Sequence, residues 1–205
     1  MNDDVPITVD FRLDEHARKW TESAMSVRPW RAEFFDAFAA QIGNQDSGAS
    51  CRVMELGAGP GFLAERLFNA NSALEYVAVD FSPVMHSLAR DRLGENGARV
   101  RFIERNLRDA GWSEGLGAFH FVVTHQAVHE LRHKRYATAL HAQVRDLLVP
   151  GGAYLVCDHF YGEGGMSNDQ LYMSVEEQCD ALMKAGFKDV EQILVKGGLV
   201  LHRAS

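Results

Sequence analysis

The sequence predicts an α/β fold built on a mostly parallel sheet. Three observations predict it. Short apolar runs of strand character alternate with helical runs from residue 52 onward. A glycine-rich turn follows the first of these strands and opens a helix. The chain ends in two apolar runs joined by Gly197-Gly198. Strands alternating with helices imply a sheet covered on both faces. The terminal pair reads as a hairpin that adds an antiparallel edge strand. With 205 residues and 46% hydrophobic content, the chain is expected to form one domain, with a helical lid over 1–43 and a core over 51–205.

The elements follow in order. Residues 12–43 read as helical and are divided by Pro29 into one helix over Asp14–Met25 and a second beginning near Pro29, with Gly43 as its stop. Asn44–Ser50 is a polar loop. Arg52–Leu56 is the first strand, and Phe62–Ala70 has helical spacing. Tyr76–Val79 is a second strand ending at Asp80. Ser82 caps the next helix, with Pro83 at its first position and Gly94 or Gly97 near its end. Val100–Ile103 and Phe119–Val123 are the third and fourth strands. Lys134–Leu148 reads as one long amphipathic helix stopped by Pro150-Gly151-Gly152, before a fifth strand over Ala153–Cys157. A helix over Ser174–Ala185 ends at Gly186, and Phe187–Lys196 and Leu199–Arg203 form the hairpin.

Composition excludes several classes. The net charge of −7 argues against a nucleic-acid partner, and the nearest thing to a basic patch, Arg99–Arg108, alternates with Phe102 and Ile103 as a strand does. No apolar run approaches 18 residues, so no membrane span is expected. Met1–Asp10 is acidic and has no apolar signal core, which points to a cytoplasmic location. Cys51, Cys157 and Cys179 are odd in number and widely spaced, fitting free thiols rather than a disulfide framework.

Ligands of such sheets bind at the carboxyl ends of the strands near the switch in strand order. That rule points to Glu55–Gly61, Asp80 and Thr124–Glu130. Glu55-Leu56-Gly57-Ala58-Gly59-Pro60-Gly61 follows a strand and opens a helix, so backbone without side chains lets a ligand approach free N–H groups. A dinucleotide fingerprint would place glycine at position 62, where this chain has Phe62. The pattern instead resembles motif I of the class I S-adenosylmethionine-dependent methyltransferases.

The resemblance extends along the chain. Val79-Asp80-Phe81-Ser82-Pro83-Val84-Met85 is similar to the family's second motif, Leu148-Val149-Pro150-Gly151-Gly152 to its L-x-P-G-G turn, and Lys184-Ala185-Gly186-Phe187 to its entry into the last hairpin. The resemblance implies a Rossmann-like doubly wound seven-stranded sheet of order 3-2-1-4-5-7-6, with S-adenosylmethionine as cofactor. It implies that Glu55, Gly57, Gly59, Gly61 and Thr124 belong to the cofactor site. Asp80 would accept hydrogen bonds from both ribose hydroxyls, a task suited to an acceptor-only carboxylate. Phe81 and Met85 would pack on the adenine, and Asn106, with Leu107, would meet its amino group. Asn106 departs from the commoner aspartate. Asp80 also suits a helix cap, Asn106 a turn, and Phe81 and Met85 a core.

The substrate side is less defined. The segment after strand four reads Thr124-His125-Gln126-Ala127-Val128-His129-Glu130 and lacks the N/D-P-P-Y/F run of the base-flipping amine methyltransferases. His129 stands where small-molecule members often have a histidine, and a neutral imidazole there would take a proton near physiological pH. A structural role capping the following helix is the alternative. His125 lies at the strand end and fits a catalytic or cofactor-fixing role. His125 and His129, four apart with Glu130 adjacent, match a metal-binding spacing, but a third ligand is unspecified and no metal is assigned. Asp158-His159 and Tyr161 follow strand five and face the expected cleft. Trp20, Trp30 and Arg28, with Arg31, are candidates for the substrate side of the lid, against the plainer reading of an aromatic packing stripe. Arginine there would grip a carboxylate.

The expected function is methyl transfer to an oxygen or nitrogen of a small molecule by a monomer or homodimer. The alternatives are a same-fold enzyme that cyclises or eliminates S-adenosylmethionine itself, and a non-catalytic cofactor-binding protein. A dinucleotide oxidoreductase is disfavoured by Phe62 and the terminal hairpin.

Overall fold

The computed structural model describes residues 4–43 and 51–205. The loop expected over Asn44–Ser50 lies outside the described residues. Among the described residues seven strands form one sheet: β1 (Arg52–Leu56), β2 (Glu75–Asp80), β3 (Val100–Glu104), β4 (Phe119–His125), β5 (Leu148–His159), β6 (Val190–Lys196) and β7 (Leu199–Ala204). Their order is β3-β2-β1-β4-β5-β7-β6, the order expected from the sequence. The β1–β5 pairings are parallel, and β7 runs antiparallel to both β5 and β6.

Among the described residues six α-helices cover the sheet: α1 (Asp14–Val27), α2 (Arg31–Gly43), α3 (Phe62–Ala70), α4 (Pro83–Leu93), α5 (Ala137–Arg145) and α6 (Val175–Lys184). None is long and apolar enough to cross a membrane. Alternation along the strands builds a core on each face. Val53, Phe121, Val123 and Leu155 meet α2 and α3. Met54, Leu56, Val122, Tyr154 and Val156 meet α5 and α6 on the other face. Phe34, Phe35, Phe38 and Ile42 of α2 are buried in the first of these cores. The second helix of the expected lid is therefore part of the packing, because four large apolar side chains on it have no other place to leave water.

Local chemistry sets the ends. Ser82 accepts the Met85 N–H at 3.1 Å and starts α4. Ser174 and Glu177 form a reciprocal capping box at α6.

The long helix expected over Lys134–Leu148 is shorter. A 3-10 turn covers Lys134–Tyr136, α5 runs only to Arg145, and β5 has already begun at Leu148. Strand five is correspondingly longer than Ala153–Cys157 and passes through Pro150-Gly151-Gly152. Its β7 partners start only at Tyr154, so residues 148–153 are a sheet edge on that side. Proline and glycine are tolerated at such an edge.

Candidate functional site

The carboxyl ends of β1, β2 and β4 surround a cavity of about 260 Å³. Parallel register brings them level: Leu56 lies beside Val79 and Thr124, one residue before Asp80 and His125.

The floor is the turn after β1. Gly57 and Ala58 both donate to the Val79 carbonyl, and Gly57, Gly59 and Gly61 all have positive φ. A Cβ on Gly57 would overlap that of Ala127, so this turn and the one after β4 touch. A Cβ on Gly59 would meet nothing nearer than 4.0 Å, so the backbone there is open.

Asp80 lies at this floor, 6% exposed. Its two carboxylate oxygens accept N–H bonds from Gly59 at 2.8 Å and Ser82 at 2.9 Å. Burial nevertheless raises its pKa to about 6, against those stabilising bonds. Phe81, Met85, Asn106 and Leu107 line the same part of the cavity. Asn106 also closes a local turn by accepting the Arg108 N–H at 3.0 Å.

Glu55 is placed differently. Its carboxyl is buried beneath the turn and accepts the Tyr76 hydroxyl at 2.7 Å, away from the cavity wall. Burial raises its pKa to about 8, so it is neutral at pH 7. Thr124 is also buried beneath the wall, and its hydroxyl has no partner among the described residues.

The far wall carries three histidines in different states. His125 stands edge-on to Phe35, with ring centres 4.9 Å apart, near Phe34 and Phe38. Burial pushes its pKa down to about 3, so it is neutral. His159 is also neutral, pushed down to about 4. Its Nε2 accepts from the Gln126 amide nitrogen at 2.6 Å, because the Gln126 oxygen is taken by the Arg31 Nε–H, also at 2.6 Å.

His129 is the third. Its Nδ1–H donates to Asp158 Oδ1 at 2.6 Å, its backbone N–H donates to Asp158 Oδ2, and its Nε2 is 3.3 Å from Glu130 Oε1. Although burial opposes the charge, the Asp158 and Glu130 carboxylates hold the imidazolium well above the ordinary histidine range. The neutral imidazole expected from the sequence is therefore a cation at pH 7, because two carboxylates flank it.

Trp20 and Arg28 also line the cavity. Trp30 and Tyr161 do not. Trp30 packs against Gly197 in the β6–β7 turn, and Tyr161 is exposed after β5. An N-terminal strap over residues 4–12 borders the cavity. Val5 donates to the Arg132 carbonyl, Ser82 donates to the Phe11 carbonyl, and Asp4 accepts from Arg108 at 2.6 Å and Tyr136 at 3.0 Å. Ile7, Val9 and Phe11 face the cavity. Sequence reasoning missed this strap, although Val5, Ile7, Val9 and Phe11 alternate as an extended segment does. It also missed Gln126, which has no sequence signature.

Residues 53–152 match a family model described as a methyltransferase domain. No curated protein sequence matches at a significant level. Solved structures do. An O-methyltransferase family protein from Burkholderia thailandensis is 22% identical, with 95% of this chain and 61% of that one covered at a TM-score of 0.73. Human N-acetylserotonin methyltransferase, in complex with S-adenosylmethionine, is 15% identical, with 95% and 56% covered at 0.69. A glycopeptide N-methyltransferase, also solved with S-adenosylmethionine, is 19% identical, with 82% and 92% covered at 0.61. The chain thus spans less than two thirds of the first two, and these likenesses describe the fold.

Proposed function

Because residues 53–152 match a methyltransferase-domain model and the sheet has the order 3-2-1-4-5-7-6, we propose that the chain is a class I S-adenosylmethionine-dependent methyltransferase, which binds S-adenosylmethionine in the cavity above β1, β2 and β4 and transfers the methyl group to an oxygen or nitrogen of a small molecule. The observation that carries this reading is Asp80. A buried carboxylate on the cavity floor, oriented by two backbone N–H groups, is a built acceptor for a diol.

The other residues fit the same cofactor. The open backbone at Gly59 leaves room for the ribose. Phe81 and Met85 offer an apolar wall to the adenine, with Asn106 and Leu107 at its rim. When bound, the cofactor supplies a methyl group on a sulfonium, a good leaving group, so the protein's task is chiefly alignment and exclusion of water. The strap over residues 4–12 and the aromatic wall of Trp20 and Phe11 serve that exclusion. Asp158 fixes the His129 ring through Nδ1 and leaves Nε2, shared with Glu130, as the nitrogen available to an acceptor. His129 accepts a proton only when neutral, which its carboxylate neighbours delay to high pH. His125 and His159 are neutral but poor bases at their depressed pKa values. The cavity's modest size and the strap at its border favour a small acceptor.

S-adenosylhomocysteine, the product form of the cofactor, tests the reading. It should raise the melting temperature of the wild-type protein and bind with one-to-one stoichiometry in calorimetry. NAD binding in its place would refute the proposal.

A further inference from the structure

Arg31 is a buried cation with no carboxylate partner among the described residues. It is 3% exposed, in the first turn of α2, and lines the cavity. Its contacts are to uncharged oxygens: the Gln126 side chain and the Ala24 carbonyl. No carboxylate lies within ion-pair distance of it among the described residues. Nε and Nη1 are engaged, and Nη2 has no bond there. The nearby charge is that of Arg28, which together with burial lowers the Arg31 pKa to about 10 and leaves it a cation at pH 7. The indole of Trp20 sits 5.2 Å from the guanidinium carbon and closes one side.

An unpaired buried charge is costly and is ordinarily neutralised. Among the described residues no group neutralises it, and Arg31 lines the cavity. Guanidinium matches a carboxylate, with which it makes paired, charge-assisted bonds. We infer that Arg31, with Gln126 fixing its plane, is a carboxylate-binding site of the cavity, filled only when ligand is bound. This rests on the reading of the cavity as a S-adenosylmethionine site. The carboxylate has two sources, the cofactor's amino-acid end or the acceptor, and they are separable.

The test compares wild type, Arg31→Met and Arg31→Lys. S-adenosylhomocysteine and its decarboxylated counterpart are titrated into each. Benzoate and benzamide are then titrated into the protein saturated with S-adenosylhomocysteine. A cofactor carboxylate predicts that wild type prefers S-adenosylhomocysteine over the decarboxylated form by roughly 10- to 100-fold, and that Arg31→Met abolishes the preference. An acceptor carboxylate predicts no such preference, but benzoate binding over benzamide that Arg31→Met removes. In both cases Arg31→Lys retains part of the effect. The melting temperature of ligand-free Arg31→Met should be unchanged or higher, which a merely structural arginine would not give. Wild type blind to the carboxylate in both pairs would overturn the inference, whether or not the variants fold. Failure of wild type to bind S-adenosylhomocysteine at all would sink the cofactor reading instead. Benzoate against benzamide on the free protein would then still decide Arg31.

Discussion

Asp80→Asn should make the ligand-free protein relatively more stable as pH rises, while weakening cofactor binding. Burial raises the Asp80 pKa from 3.8 to about 6. The cost of ionising it in the fold is absent below pH 3.8, grows as pH climbs, and is complete above pH 6. That displacement corresponds to about 3 kcal/mol at pH 7. Asparagine removes the charge but turns an amide N–H₂ towards either Gly59 or Ser82, whose backbone N–H groups now bond the carboxylate. A donor facing a donor costs about 1–3 kcal/mol. The absolute difference at pH 7 is thus small, but its pH dependence is not. Urea melts at pH 4 and pH 7 should show the difference moving in the variant's favour by about 2 kcal/mol, since part of the cost is already present at pH 4. Calorimetry with S-adenosylhomocysteine should show affinity falling by about 1–3 kcal/mol, because one ribose hydroxyl loses a charged acceptor. A pH-independent stability difference would refute the electrostatic reasoning, and unchanged affinity would refute the ribose role.

Three further outcomes are expected. Gly57→Ala combines a positive φ with overlap on Ala127, so it should lower stability by about 1–3 kcal/mol and abolish S-adenosylhomocysteine binding; a crystal structure with an unmoved, ligand-bound turn would contradict this. Glu55→Gln should lack a decline in stability that wild type shows between pH 4.5 and pH 8, since Glu55 stays protonated in the fold up to about 8 and ionises at 4.5 when unfolded; parallel curves in denaturant titrations at pH 5 and pH 8 would count against it. His129→Ala strands the buried Asp158 carboxylate and should cost about 3–5 kcal/mol in thermal melts. In the wild type, whose His129 pKa is raised, turnover that uses His129 as base should climb with pH above 7; a flat profile from pH 6 to 9 would remove it from that role.

Much of this was readable in the residues. The strand–helix alternation and the terminal Gly197-Gly198 turn carry the fold, because periodicity and turn chemistry are local. Asp80 and the glycine turn are legible for the same reason: a strand end, a cap and a bare backbone leave a contiguous signature. The long β5 was not, since the tolerance of Pro150 depends on where β7 stops. The state of His129 was not either. It is set by Asp158, 29 residues away, and only packing brings the two within 2.6 Å. Trp20 and Trp30 look alike in sequence, yet one lines the cavity and the other covers Gly197. The N-terminal strap shows how a legible alternation is overlooked when the segment has no regular partner.

The central claim is that the cavity presents a methyl donor to a separate small-molecule acceptor. Incubating the protein with methyl-labelled S-adenosylmethionine, alone and with a panel of small hydroxyl, carboxyl and amine compounds, tests it most directly. The account predicts label appearing in an acceptor, with S-adenosylhomocysteine formed in equal amount and only when that acceptor is present. Consumption of the cofactor at the same rate without any acceptor would contradict it.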